Sequence, residues 1–200
     1  MRRAAAAVVV LAVAAAVFAL TAPSAGPPPS GPAVVDVLLE PRSGPATVAT
    51  GFHSGDGRVV TVAHLLPGRS AQVLVRSDGG RTVRARILSV DRRADLALLA
   101  VRPGVRRPSP LPGPGSPHLL VRRDGHSAAL PVKIRRRIDA RIRPRPGAAP
   151  VRRAALELDA RVRQGDSGAP LVAADGTTLG VLFAQSSGRD DTAYAVALSR

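Results

Sequence analysis

The segment Gln164-Gly165-Asp166-Ser167-Gly168-Ala169-Pro170 is a glycine-crowded stretch followed at once by the apolar pair Leu171-Val172. Glycines let a backbone turn sharply and approach a ligand closely. A serine hydroxyl held there is exposed for attack on a carbonyl, and the N–H groups of Gly165 and Ser167 can converge on a developing oxyanion. Taken alone, the stretch reads equally well as a hairpin turn, since Gly, Asp and Ser are the usual turn formers. The chemistry needs two further groups: serine is a weak nucleophile without a base, and the base needs a partner to fix its tautomer.

His64 suits the base, because the apolar run Val59-Val60-Thr61-Val62-Ala63 delivers its imidazole to a strand edge where the next turn begins. His53, His118 and His126 lie in or beside turn signals without such an approach strand and read as incidental. Asp95 directly precedes the apolar run Leu96-Ala97-Leu98-Leu99, where a carboxylate is drawn toward the interior and must find a partner there. Its rival Asp91 is followed by Arg92 and Arg93 and suits a solvated surface pair. The order His64, Asp95, Ser167 is that of chymotrypsin-type barrels among the known arrangements of such a triad.

Six short β-type runs cover Val34–Leu39, Ala46–Phe52, Arg58–Ala63, Ala71–Arg76, Thr82–Val90 and Leu96–Val101. Gly-, Pro- and Asp-containing turns separate most of them, and no helical period intervenes, which predicts a small antiparallel barrel or sandwich over residues 34–101. Residues 102–117 carry six prolines and three glycines, too many for a hydrogen-bonded ladder, and read as a connector. Further β-type runs follow over residues 118–200: His118–Arg122, Ala128–Ile134, Ile138–Ile142, Ala154–Val162, Ala169–Val172, Thr178–Gln185 and Thr192–Leu198. His64 and Asp95 thus belong to the first half and Ser167 to the second, so the site is expected between two β-subdomains.

At the N-terminus, Arg2 and Arg3 precede an apolar stretch of 17 residues, Ala4–Leu20, and then small and helix-breaking residues. Residues 1–25 therefore read as an export signal or membrane anchor helix, and residues 26–33, rich in Gly, Pro and Ser, as a linker. The working part is expected outside the cytoplasm. With no cysteine in the chain, disulfides and thiolate metal sites are excluded and the apolar core alone must hold the fold. The formal charge of +15 is concentrated in residues 101–163, where 16 basic residues face four acidic ones. Such a segment favours an anionic membrane or cell-wall surface. With only four aromatic residues to stack bases, nucleic-acid binding is not expected.

These residues together resemble the trypsin-like serine peptidase superfamily, and within it the HtrA/Deg-type bacterial proteases. Thr50-Gly51-Phe52, Val60-Thr61-Val62-Ala63-His64, Ala94-Asp95-Leu96-Ala97-Leu98-Leu99 and Gly165-Asp166-Ser167-Gly168-Ala169-Pro170 each match a family motif. The C-terminal stretches Asp175–Ala184 and Thr192–Val196 are most similar to actinobacterial MarP-type periplasmic proteases. Three departures stand out: Ala169 replaces the second glycine usual after the serine, the MarP-type disulfide and multiple membrane helices have no counterpart, and no PDZ domain is expected before the chain stops at Arg200.

The resemblance implies an all-β fold of two six-stranded antiparallel barrels, with no metal or cofactor. It implies a serine endopeptidase with Ser167 as nucleophile, His64 as base, Asp95 as orienting acid, and Gly165 and Ser167 amides as oxyanion hole. Val162, Gln164, Leu182, Phe183 and Ala184 would form the pocket walls, favouring a small or medium apolar side chain, unless Arg161 enters and recruits an acidic one. The alternative is an inactive trypsin-like module that binds peptides or anionic envelope polymers. Oligomeric state and substrate identity are not legible in these motifs.

Overall fold

The computed structural model describes residues 30–41, 45–55, 57–66, 72–102, 108–112, 115–142 and 149–198. The expected signal or anchor helix, and the linker as far as residue 29, lie outside the described residues. Among the described residues there is no helix, and so none long and apolar enough to cross a membrane.

Seven strands make up the first part: β1 Ser30–Gly31, β2 Val34–Glu40, β3 Thr47–Gly55, β4 Arg58–Val62, β5 Gln72–Arg76, β6 Thr82–Asp91 and β7 Leu96–Ala100. Strands β2 to β7 close an antiparallel barrel in the order β2-β3-β4-β7-β6-β5, with β5 returning to β2 through Val37↔Val75. The closure follows from the alternation along each strand. Val35, Val37 and Leu39 of β2 point into the barrel with Val59, Val73, Val75 and Leu99. Val34, Phe52 and Val62 point the other way. Of the two candidate architectures for residues 34–101, the chain adopts the barrel.

The second part comprises β8 Ser109–Pro110, β9 His118–Arg123, β10 His126–Pro131, β11 Lys133–Ile142, β12 Val151–Asp159, β13 Pro170–Val172, β14 Thr178–Gln185 and β15 Thr192–Ala197. Here the structure departs from the expected six-stranded barrel. Seven strands form one antiparallel sheet in the order β10-β9-β13-β14-β15-β12-β11, and among the described residues its edges β10 and β11 are not paired to each other. The run Ala128–Ile134, expected as one strand, is divided at Pro131, which has no N–H to carry a ladder onward. Val132 turns the corner, with its side chain buried and its N–H donated to the Pro117 carbonyl at 3.0 Å.

Three cores result: one inside the first barrel, one inside the second part around Leu119, Leu158, Leu171 and Leu182, and one between the two. The last joins Val34, Phe52 and Val62 to Leu120, Val172, Val181, Phe183 and Val196. Full burial of each such large aliphatic or aromatic side chain contributes about 1.5–3 kcal/mol, so packing holds the halves in a fixed relation. Ser30 and Gly31 add to this lock by pairing with Pro110 and Ser109 of the Pro-rich connector.

Much of the basic segment is spent internally. Arg122, Arg123, Arg135, Arg136, Arg152 and Arg153 all form ion pairs within the chain. Lys133, Arg137 and Arg141 are exposed on the edge strand β11, where charge discourages pairing with another sheet.

Candidate active site

His64 follows the end of β4, and its position is set by Asp95 at three points. The Ala63 N–H donates to the Asp95 carbonyl at 3.0 Å, the His64 N–H to Asp95 Oδ1 at 2.8 Å, and His64 Nδ1 lies 2.8 Å from Asp95 Oδ2. An ionised carboxylate only accepts hydrogen bonds. Nδ1 is therefore the donor, so that in the neutral ring Nε2 is the basic nitrogen, the tautomer a general base requires. The histidine side chain is about one-third exposed, while that of Asp95 is 8% exposed.

Asp95 ends the tight turn 92–95 between β6 and β7 with φ of +62°, a left-handed conformation uncommon for a residue other than glycine. Two features hold it. Asp91, exposed, caps the turn by accepting the Arg93 and Ala94 N–H groups at 2.8 and 2.9 Å, and among the described residues no arginine side chain pairs with it. On the inner side, Arg153 reaches across from β12, with Nη1 3.2 Å from Asp95 Oδ2. Nothing in the motifs marks Arg153.

Ser167 lies on a loop with left-handed glycines at both shoulders, Gly165 at φ +94° and Gly168 at φ +92°. Inside the loop the buried Asp166 carboxylate accepts the Arg163 N–H at 2.8 Å and Arg123 Nη2 at 2.6 Å, with Arg123 Nε at 3.3 Å from its other oxygen. Thr50 of β3 holds the outside: its hydroxyl donates to the Gly165 carbonyl and its N–H to the Ser167 carbonyl, both at 2.9 Å. With those carbonyls turned toward the first barrel, the Gly165 and Ser167 N–H groups have no acceptor among the described residues. Two adjacent free donors beside a serine hydroxyl are what an oxyanion would occupy.

Gly168 sets the closeness of this seating. A Cβ there would strike the Thr50 carbonyl and come within 2.7 Å of Thr61 Oγ1. Thr61 lies on β4 three residues before His64, so the serine loop rests on the strand that carries the histidine. Among the described residues no hydrogen bond joins the Ser167 hydroxyl to His64, a contact often long before substrate arrives. Ala169, in the usual glycine position, directs its methyl into the second core against residues such as Leu182.

The residues expected as pocket walls divide by burial. Leu182 lies in the second core, and Phe183 in the core between the halves, so their side chains are walls of the fold. Val162 packs partly against the second core, Ala184 is half-buried, and Gln164 and Arg161 are exposed. His118 is buried at the start of β9, and His126 is exposed at the start of β10. Among the described residues no three His, Asp or Glu side chains gather as metal ligands would.

Comparison with known proteins agrees with this geometry. The trypsin-like peptidase domain family matches residues 49–181. The serine protease Rv3671c of Mycobacterium tuberculosis is 33% identical over 179 residues, an alignment covering 82% of this chain and 43% of the relative, so the chain spans less than half of that protein. A crystal structure of the Rv3671c protease in its active form superposes with a TM-score of 0.70 at 30% identity, covering 84% of this chain and 77% of that one. The HtrA-type protease AlgW with a tripeptide shares the fold at a TM-score of 0.63 and 20% identity, covering 84% and 57%. The matched span holds the Thr50 seat, His64, Asp95 and the whole serine loop, and the chain belongs to the trypsin-like peptidase family.

Proposed function

We propose that the chain is an extracytoplasmic serine endopeptidase that cleaves peptide bonds through an acyl-enzyme on Ser167. The observation that carries the reading is the hold of Asp95 on His64 at both the backbone and the imidazole, with the Ser167 loop seated on the same barrel by Thr50. His64 Nε2 takes the Ser167 proton as the hydroxyl oxygen attacks the peptide carbonyl. The tetrahedral oxyanion is held by the Gly165 and Ser167 amides. His64 then returns the proton to the departing amine, and water, activated by the same nitrogen, releases the acid. Asp95 stays ionised and stabilises the imidazolium.

The substrate is a polypeptide lying extended along an exposed strand edge, where main-chain hydrogen bonds provide affinity. Val162, Gln164 and Ala184, with the backbone of Leu182 and Phe183, border the pocket for the residue before the cut, which favours a small or medium apolar side chain. The export or anchor stretch Ala4–Leu20 supports a place outside the cytoplasm, and the exposed Lys133, Arg137 and Arg141 an approach to anionic envelope surfaces. The second half is read as the equivalent of the second barrel of the double-barrel peptidases, with an additional strand.

The test is digestion of a broad peptide library by the full chain beside its Ser167→Ala variant. Cleavage by the wild type alone supports the reading. A library left intact by both near neutral pH favours the inactive binding module.

A further inference from the structure

Arg153 sits where the catalytic chemistry has no stated use for it. Its side chain is 5% exposed, and a guanidinium remains charged at any working pH. From β12 it crosses the interface between the halves to the turn before β7. Nη1 lies 3.2 Å from Asp95 Oδ2 and 3.5 Å from the Ala94 carbonyl, and Nη2 3.5 Å from the Arg92 carbonyl. The guanidinium carbon stands 5.2 Å above the Phe183 ring, a cation–π contact. Its Nε is buried with no partner. A buried donor left unsatisfied is a cost that the remaining contacts must offset.

We infer that Arg153 is a positioning residue for the triad: it fixes the Asp95 carboxylate and, by sharing the oxygen that holds His64, keeps the imidazole in the orientation that presents Nε2 as the base. The geometry is specific on this point. Asp95 Oδ2 is within 2.8 Å of His64 Nδ1 and 3.2 Å of Arg153 Nη1. One carboxylate oxygen therefore receives both nitrogens, and an acceptor pinned by a buried guanidinium is not free to swing away from the ring.

The other charged groups around His64 do not substitute. Asp91, Arg92 and Arg93 of the turn are exposed, Phe183 and Ala184 on β14 carry no charge, and the Tyr194 hydroxyl on β15 is hydrogen-bonded to Arg189. Asp95 and Arg153 are the buried charged groups of this site, and Arg153 pins the carboxylate from the second half.

The inference rests on the peptidase reading for its activity arm only, and the experiment has an arm that does not need activity. In the full chain, steady-state kinetics and the His64 Nδ1–H resonance in NMR at one near-neutral pH are followed for wild type, Arg153→Met and Arg153→Lys. In Arg153→Met kcat is expected to fall about tenfold with KM little changed, and the Nδ1–H resonance, which reports the bond to Asp95, to be lost to exchange, while Arg153→Lys, which keeps a cation, stays near wild type. A folded Arg153→Met whose kcat and Nδ1–H resonance both match the wild type overturns the inference, whatever its melting temperature.

If Arg153→Met does not fold, the wild type answers. The Arg153 Nη protons should be slowly exchanging, as protons held on a buried carboxylate are. Nη protons that exchange freely overturn the inference. If wild type cleaves nothing while the Nδ1–H resonance is still lost on substitution, the peptidase reading fails and the Arg153 assignment stands.

Discussion

The backbone N–H of Thr50, in the first barrel, donates to the carbonyl of Ser167, in the second half, at 2.9 Å. This bond crosses the interface that separates nucleophile from base. The fully buried Thr50 strengthens it by donating its hydroxyl to Gly165 two residues away. One residue of the histidine barrel therefore fixes two carbonyls of the serine loop, whose following N–H groups, those of Asp166 and Gly168, donate in turn to the Arg163 and Leu182 carbonyls.

Thr50→Val keeps the shape and deletes the hydroxyl, leaving the Gly165 carbonyl without its donor. We expect a stability loss of about 1–3 kcal/mol, the cost of a buried unsatisfied polar group. Equilibrium denaturation measures it. Because Gly165 is then free to rotate, kcat should fall by a larger factor than KM rises, which steady-state kinetics on a cleaved peptide would show.

Gly168→Ala is expected to be far more damaging than its size suggests. The new methyl meets the Thr50 carbonyl and Thr61 Oγ1 in a backbone conformation that an L side chain rarely adopts. A loss of more than about 2 kcal/mol and displacement of the serine loop should follow. Thermal melting of Gly168→Ala beside Gly188→Ala, where a methyl enters open space, isolates the packing effect.

Arg123→Met tests the latch on Asp166. That carboxylate is almost completely buried, whereas Arg123 is 22% exposed, so the loss should be about 2 kcal/mol, below that of a fully buried pair. A cavity of 760 Å³ bordered by Arg123, Arg163, Gly165 and Asp166 lies against the loop and offers room for it to move once unlatched. The expected kcat loss is about tenfold, smaller than the roughly 10²–10³ for deleting an oxyanion donor. Kinetics and denaturation of the same preparation measure both.

How far this site was legible depended on sequence distance. Val59-Val60-Thr61-Val62 and Leu96-Ala97-Leu98-Leu99 declare β4 and β7 by composition, and each ends beside the residue it presents, so His64 and Asp95 could be read locally. Arg153 and Arg123 could not. They sit in the other half of the chain among many arginines with no local signal, and only long-range packing selects them. The same holds for Leu182 and Phe183: the family resemblance puts them at a pocket, but which face meets the core is decided by strand register. The divided strand at Pro131 was a local signal, and it places the boundary between β10 and β11 while the number of strands in the sheet stays at seven.

Glu157 ties acid stability to β12. It is buried between Arg136 at 2.9 Å and Arg189 at 3.1 Å. The hydrogen bond from Arg136, aided by Arg189 and opposed by burial, holds its carboxyl below the ordinary glutamate value. The folded state thus binds this proton less readily than the unfolded one. The stabilisation is present at neutral pH and is lost as pH falls through the ordinary glutamate range to the lower folded value. Glu157→Gln should melt below wild type at pH 7, with the gap closing in acid, as melting curves across pH would record.

The central claim, that Ser167 is a nucleophile activated by His64, is tested most directly by treating the full chain with a fluorophosphonate and locating the adduct by peptide mass mapping. A single adduct on Ser167, absent from Ser167→Ala and strongly slowed in His64→Ala, is the predicted result. No adduct near neutral pH, or labelling of equal rate in His64→Ala, would contradict it.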